Sequence, residues 1–320
     1  MHREAGEIVL VTFGEAMVRL SPPVSQRLEQ ARSFDVHIAG SELNVAVVAA
    51  RLGVASRWVS RLPDNALGHM IANRAREQGV DAQVEWTADA RAGLYFIEVG
   101  STPRDSTVLY DRAGSAISRV VPGSIDWAAV FAGARWYHVS GITPALSDSA
   151  AQVTKESLVA ARQAGLTVSY DLNYRGKLWS ARQASAAQEP LMEYVDLLNT
   201  TEEDARLVFG MRGDPAEVAR ALAQRFALGA VAVTLRDKPL AAVVAVDGTI
   251  HSAPRFQVDT VDRIGAGDAF TGGLIVSRLE NRGWDAALRF ATATAALKHT
   301  IPGDFCTVTR SEVEQLLVSR

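Results

Sequence analysis

Short apolar runs rich in β-branched residues alternate along the chain with longer segments whose apolar residues recur at helical spacing. The short runs predict buried strands at residues 8–13, 56–60, 136–140, 167–171, 196–199, 231–235 and 241–246. The longer segments predict amphipathic helices at residues 42–52, 66–78 and 148–163. Strands that alternate with helices in this way favour a parallel sheet covered by helices on both faces.

Two parts of the chain depart from this alternation. After residue 266 the pattern is mostly helical, with helices predicted at residues 268–281, 284–298 and 310–318. Residues 91–99 and 107–111 alternate between apolar and polar side chains like the two strands of a hairpin, and residues 17–20 extend past the first strand. These segments can form a small second sheet, or they can be ordinary edge strands of the main sheet.

The bulk composition excludes several classes of protein. With 320 residues, 48% of them hydrophobic, the chain can bury the core of one large α/β domain with a small appendage. A formal net charge of -3, without blocks of like sign, gives no electrostatic footprint for nucleic acid or an anionic membrane. The single cysteine, Cys306, excludes an internal disulfide. The first apolar run is too short for a signal-peptide core or a membrane span, so we expect a cytoplasmic protein.

The strongest chemical signal is the segment at residues 262–270, DRIGAGDAF, which runs into an apolar helix. Glycines let a ligand approach the main chain closely, and N–H groups at the amino end of a helix bind anions. Such a site suits the charge on a transferring phosphoryl group, and Asp268 in the first turn could accept a proton from a substrate hydroxyl. Alone, the fragment is also typical of a glycine-rich turn with a helix-capping acid.

Three motifs, in this order along the chain, resemble those of the ribokinase/PfkB family of sugar kinases. Residues 39–46 (AGSELNVA) are similar to the amino-terminal signature of that family, and residues 199–202 (NTTE) to its Asn-x-x-Glu motif. Residues 262–268 are similar to its carboxyl-terminal signature. The spacing also matches, and the resemblance covers essentially the whole chain.

The resemblance implies a single ribokinase-like domain over residues 1–320. The implied fold is an α/β protein, an αβα sandwich with a mostly parallel central sheet and a small β-sheet lid. The lid would come from segments near residues 15–38 and 91–112. Because lid sheets in this family often pair between subunits, we expect a homodimer or a higher homo-oligomer.

The implied activity is phosphoryl transfer from ATP, as its magnesium complex, to a sugar hydroxyl that is deprotonated by Asp268. The backbone of Gly265, Ala266 and Gly267 would stabilise the transferred group, and Glu202 would help to order Mg²⁺ through water. The implied contacts with ATP are Asn173, Arg175, Asn199, Arg236, Gly265 and Gly267.

Within the family, four segments look most like 2-keto-3-deoxygluconate kinases, namely residues 110–116, 140–147, 171–180 and 298–305. That subgroup would phosphorylate a sugar acid, and its product would be 2-keto-3-deoxy-6-phosphogluconate. The resemblance implies that the sugar pocket is lined by Gly40, Asn44, Tyr95, Tyr110, Arg112, Arg175 and Asp304.

The residue types agree with an acidic substrate. Kinases of neutral sugars commonly place an acid just after the first strand to hold hydroxyls, and residues 15–20 contain no Asp. Arg112 and Arg175 can present planar forks to a carboxylate. The alternatives are that Arg112 is a solvated charge of the lid, that Tyr95 and Tyr110 are packing aromatics, and that Asp304 is a plain turn residue.

The chain also departs from the family. The loop at residues 236–241 lacks the Gly-x-x-Gly pattern that usually contacts the nucleotide, so Arg236 either supplies a cation to the phosphates or is a solvated strand end. Arg263 replaces a frequent Thr and leaves a monovalent-cation site open. Two other functions remain open as well. One is a kinase of a neutral sugar such as fructose or a deoxy-keto sugar, and the other is a non-catalytic sugar- or nucleotide-binding homologue.

Overall fold

A computed structural model describes residues 8–24, 26–100, 103–235 and 241–318. The strands, in chain order, are β1 (Leu10–Phe13), β2 (Met17–Ser21), β3 (Asp35–Ala39), β4 (Ser56–Pro63), β5 (Asp81–Thr87), β6 (Gly93–Glu98), β7 (Thr107–Asp111), β8 (Trp136–Ser140), β9 (Thr167–Asp171), β10 (Leu197–Thr201), β11 (Ala230–Leu235), β12 (Ala241–Val246) and β13 (Thr249–Ser252). The α-helices are α1 (Ser41–Arg51), α2 (Ala66–Glu77), α3 (Trp127–Phe131), α4 (Asp148–Gln163), α5 (Ala181–Gln188), α6 (Glu202–Phe209), α7 (Pro215–Phe226), α8 (Ala266–Leu279), α9 (Trp284–Lys298) and α10 (Arg310–Val318).

Within the described residues, nine strands form one large sheet in the order β13-β12-β11-β10-β9-β8-β1-β4-β5. From β5 to β11 the neighbouring strands are parallel, and β12 and β13 add an antiparallel end. The predicted, mostly parallel sheet is confirmed. The edge strand β5 was not predicted, because its polar residues alternate with few fully buried ones.

The two faces of the large sheet pack against different helices, because successive side chains of a strand point to opposite faces. Leu10 belongs to a core cluster with residues of α1, α8, α9 and α10, whereas Val11 and Phe13 belong to one with residues of α3 to α7. On the first face, α2 packs with α1 against Trp58 of β4. The three layers confirm the predicted αβα sandwich.

A second sheet of four strands, in the order β3-β2-β6-β7, is formed by residues described between 17 and 111. Strands β6 and β7 pair in antiparallel fashion, as the hairpin pattern predicts, and β2 runs parallel to β6. The alternative interpretation as edge strands of the main sheet is wrong, because β6 pairs with β2 and β7 pairs with β6, in a sheet separate from the nine-stranded one.

Helices α1 and α8 approach each other closely at the edge of the sheet where the parallel strands end. A Cβ atom on Gly272 of α8 would lie 2.7 Å from both Cβ and Cγ1 of Val48 on α1. Glycine at this position therefore lets the two helices touch midway along their lengths. In the part of the chain that the structure describes, no helix has the length and apolarity needed to cross a membrane.

We expect Gly272→Ala to destabilise the fold by about 1–3 kcal/mol, because the added methyl group overpacks the contact with Val48. The measurement is the midpoint of urea denaturation at unchanged m-value. Gly283→Ala is the matched control, since a Cβ there meets nothing within 4 Å. Equal midpoints for the two variants would contradict the close helix contact.

Candidate active site

Asp268 lies half-buried in the first turn of α8 and is held by two side chains from the first turn of α1. Its two carboxylate oxygens accept hydrogen bonds from Ser41 Oγ and Asn44 Nδ2, both at 2.7 Å. Burial raises the pKa of Asp268, while these two hydrogen bonds lower it. The carboxylate is therefore oriented by a second helix, and its pKa is higher than that of an exposed aspartate.

The backbone just before Asp268 forms a glycine-dependent helix start. Gly265 has φ +81° in the left-handed region, and a Cβ atom there would lie 2.2 Å from the carbonyl oxygen of Asp304. A Cβ on Gly267 would meet nothing within 4 Å, so its main chain faces open space. The first N–H groups of a helix have no partner inside the helix, and such an opening is suited to an anion.

A second carboxyl group, that of Asp171, lies at the end of β9 near Asp268. Burial and the charges of Asp268 and Asp204 raise its pKa to about 8, against the opposing effect of Arg175. Asn173 (φ +40°) donates its backbone N–H to Asp171 Oδ1 at 3.1 Å and its Nδ2 to Ser41 Oγ at 2.9 Å. The end of β9 is thus connected through Ser41 to the predicted base.

Asn199 and Glu202, the two named positions of the Asn-x-x-Glu motif, lie in the middle of β10 and at the start of α6. Asn199 is 2% exposed, and neither its Nδ2 nor its Oδ1 has a partner among the described residues. A buried polar group without a partner costs about 1–3 kcal/mol, so this amide is ready to bind a ligand or water.

The chemistry of this region fits a metal held mainly by phosphates and water. Among the described residues, no group of three or more His, Cys, Asp or Glu side chains could by itself hold a metal ion. Mg²⁺ usually keeps several waters and binds through one or two carboxylates together with substrate phosphates. Glu202 and the unpartnered amide of Asn199 are compatible with that mode.

A cavity of about 440 Å³ lies between the second sheet and the segment at residues 174–178. Its lining includes Tyr110, Arg112, Tyr174, Arg175 and Lys177. Arg175 lowers the pKa of both Asp171 and Asp268, so its charge reaches from the cavity wall to the predicted base. The structure therefore brings Tyr110, Arg112 and Arg175 to one cavity, and Arg175 connects that cavity electrostatically with Asp268.

Arg112 forms a buried ion pair that the sequence did not reveal. Its Nη2 contacts Glu15 Oε2, and the two side chains are 8% and 2% exposed. Ser115 Oγ donates to the other oxygen of Glu15 at 2.6 Å, and Arg112 Nε has no partner among the described residues. Arg112 is therefore not the solvated lid charge of the alternative interpretation, and Glu15 offsets much of its charge. The only sequence signal for Glu15 was an acid just after the first strand.

Tyr95 and Asp304 belong to a buried network behind the cavity. Tyr95 donates to Oδ1 and Oδ2 of Asp304 at 2.8 and 2.7 Å, and Arg19 contacts Asp304 at 2.9 Å and Asp262 at 2.7 Å. Asp304 is 3% exposed, so the alternative of a plain turn residue is wrong. The sequence did not indicate the role of Arg19 in this network. The predicted contacts of Tyr95 and Asp304 with the sugar stay predictions.

The two remaining predicted site positions are Gly40 and Arg236. Gly40 caps α1, and a Cβ atom there would lie 2.2 Å from the carbonyl oxygen of Glu15, so close packing requires glycine. Arg236 lies outside the described residues, and its predicted contact with the ATP phosphates stays a prediction.

The family model described as pfkB family carbohydrate kinase matches residues 8–305. A 2-dehydro-3-deoxygalactonokinase of Haloferax volcanii is 44% identical over 308 residues, which cover 96% of each chain. A 2-dehydro-3-deoxygluconokinase of Thermoproteus tenax is 31% identical and covers 93% of this chain and 90% of its own.

The fold is similar to that of a solved structure of a sugar acid kinase. The crystal structure of a 2-dehydro-3-deoxygluconokinase from Thermotoga maritima superposes with a TM-score of 0.95 at 39% identity, covering 99% of this chain and 100% of that one. A match of this extent includes both sheets and the helix start at Gly265. With a family model that spans most of its length, the chain belongs to the pfkB family of carbohydrate kinases.

Proposed function

We propose that the protein transfers the γ-phosphoryl group of ATP to the terminal hydroxyl of a 2-keto-3-deoxy sugar acid. The arrangement that carries this proposal is Asp268, oriented by two donors of α1 at an open helix start, together with Arg175, which lines the cavity and whose charge acts on Asp268. Its relatives are named for 2-keto-3-deoxy sugar acids of both the gluconate and the galactonate type. The proposal therefore covers 2-keto-3-deoxygluconate and its galactonate epimer.

In the proposed reaction, the carboxylate of Asp268 takes the proton of the substrate hydroxyl, and the resulting oxygen attacks the γ-phosphorus in line. The N–H groups at the start of α8 and the dipole of that helix stabilise the charge on the equatorial oxygens. Mg²⁺ would neutralise charge on the phosphates of bound ATP. Asn199 and Glu202 are the side chains of this chain that would help to hold it.

The charges around the cavity favour an acidic sugar over a neutral one. Because Glu15 already pairs with Arg112, the acid after the first strand is not available to hold sugar hydroxyls. Arg175 and Lys177 add positive charge to the cavity wall. A guanidinium group that binds a substrate carboxylate through charge-assisted hydrogen bonds is expected to contribute about 1.5–3 kcal/mol to the free energy of substrate binding.

The proposal extends to the second sheet, which we expect to cover the bound sugar as a lid and to pair with its copy in a homodimer. Its outer strands expose apolar side chains, including Val36 at 49% and Leu109 at 53%. Exposed apolar residues on one sheet support association with a second copy. We also propose a cytoplasmic location, because the reaction consumes ATP.

We expect Asp268→Asn to lower kcat about 100- to 10,000-fold, because the amide cannot accept the proton of the hydroxyl. Folding and ATP binding should be preserved, since the side chain keeps its size. The measurements are coupled ADP release with 2-keto-3-deoxygluconate and nucleotide binding by calorimetry. A variant that keeps more than about a tenth of the wild-type kcat would disprove the role of Asp268 as base.

Asn44→Ala should move the acid limb of the kcat/KM profile to higher pH. Burial raises the pKa of Asp268 and the hydrogen bond from Asn44 lowers it, so loss of the donor leaves a higher pKa. The reactive carboxylate is then lost at a higher pH as the solution is acidified. Ser41→Ala should shift the limb in the same direction. A limb that stays in place or moves to lower pH would contradict this link.

Arg175→Ala should raise the KM for a 2-keto-3-deoxy sugar acid about 10- to 150-fold at saturating ATP, the equivalent of one charge-assisted pair. Any activity on fructose should change little, and Arg175→Lys should recover only part of the loss. The matched control is Arg220→Ala, which removes an exposed arginine of α7 and should leave both KM values unchanged. Equal increases in KM for the acid and for fructose would show that Arg175 acts through packing or ATP.

A further inference from the structure

Lys298, the last residue of α9, is completely buried behind the candidate active site, with 0% exposure. Its Nζ donates to two backbone carbonyl oxygens, those of Asp262 at 3.3 Å and Ile301 at 3.0 Å. A buried ammonium group costs several kcal/mol unless its surroundings compensate it. Burial lowers the pKa of Lys298, and the negative charges of Asp262 and Asp304 oppose that effect.

The two carbonyl groups belong to different loops. We call residues 261–265, which lead into α8, the entry loop, and residues 299–304, which follow α9, the return loop. The N–H groups of Val261 and Asp262 donate to His299 O at 2.8 and 3.1 Å, and Gly303 N–H donates to Asp262 Oδ2 at 3.0 Å. Lys298 thus bridges the entry loop and the return loop at the point where they are already joined.

The position of the entry loop determines where the helix start lies. Gly265 ends this loop and packs directly against the backbone of Asp304 in the return loop. Asp268 follows three residues later, and its hydrogen bonds to α1 require that the helix begin at this place. Separation of the two loops would therefore displace both the anion-binding backbone and the base.

Backbone carbonyl oxygens that converge in a loop are also the ligands that bind K⁺, whose hydration shell they replace. An ammonium group carries the same single charge, and here it meets the same kind of oxygen atoms. We propose that the Lys298 ammonium takes the place of a bound monovalent cation and holds the entry loop, so that the kinase does not depend on added K⁺. Lys298 is then a positioning residue, and the activity readout rests on the proposed function.

The experiment compares the full-length wild type, Lys298→Ala and Lys298→Met in KCl and in tetramethylammonium chloride of equal ionic strength. Wild-type kcat should be the same in both salts. Lys298→Ala should lose about 100-fold in kcat without K⁺, as expected for a displaced catalytic geometry, and K⁺ or NH₄⁺ should restore part of it. Lys298→Met, which fills the space with an apolar chain, should lose activity without recovery.

A second readout does not depend on catalysis. K⁺ should raise the Tm of ligand-free Lys298→Ala, because an ion that binds only the folded state stabilises it, and it should leave the wild type unchanged. Lys155→Ala, an exposed lysine of α4, is the control and should behave as the wild type. Activation of the wild type by K⁺, or absence of any K⁺ effect on the kcat and Tm of Lys298→Ala, would overturn the proposal. If the wild type released no ADP with any sugar acid, the proposed function would fail while the Tm comparison still decided the role of Lys298.

Discussion

The contact between the amino ends of α1 and α8 is the constraint on which the candidate site depends. Asp268 receives both of its side-chain hydrogen bonds from residues more than 200 positions earlier in the chain. Those bonds require that the two helices begin at the same edge of the sheet, and the glycine contact at Gly272 lets them come close enough. The start of α1 lies at the carboxyl ends of β8 and β9, since Ser140 donates to Glu42 and Asn173 donates to Ser41. This edge is where α/β sheets generally bind their ligands.

Buried charges around this contact are distributed so that one carboxylate stays free to act. Glu15 is paired with Arg112, and Asp262 and Asp304 are paired with Arg19. Asp171 and Asp268 interact with each other, and two neighbouring carboxylates cannot both ionise easily in a buried setting. Burial and the charges of Asp268 and Asp204 raise the pKa of Asp171 to about 8, whereas the hydrogen bonds from Asn44 and Ser41 favour the ionised form of Asp268. Asp268 is therefore the carboxylate of this pair whose surroundings prepare it to accept a proton.

Local sequence patterns predicted six of the ten α-helices in the described residues, whereas α3, α5, α6 and α7 and the strands β5 and β13 were not predicted. Strands such as Trp136–Ser140 and the helix Trp284–Lys298 have the predicted bounds, because their apolar periodicity is strong and turn residues flank them. Helix α8 begins two residues before the predicted start, since left-handed Gly265 rather than a side chain ends the preceding loop. The ion pair between Glu15 and Arg112 joins residues 97 positions apart, and no spacing rule reveals such a pair. Arg19 was missed for the same reason.

The most direct test of the role of Asp268 is a crystal structure of the ternary complex with a non-hydrolysable ATP analogue and 2-keto-3-deoxygluconate. The terminal hydroxyl of the sugar should lie within about 2.6–3.2 Å of the Asp268 carboxylate, the reach of a general base. The γ-phosphate should face the N–H groups at the start of α8, and the sugar carboxylate should face Arg175. A complex in which the terminal hydroxyl points away from Asp268, or in which the phosphates bind away from that helix start, would contradict that role.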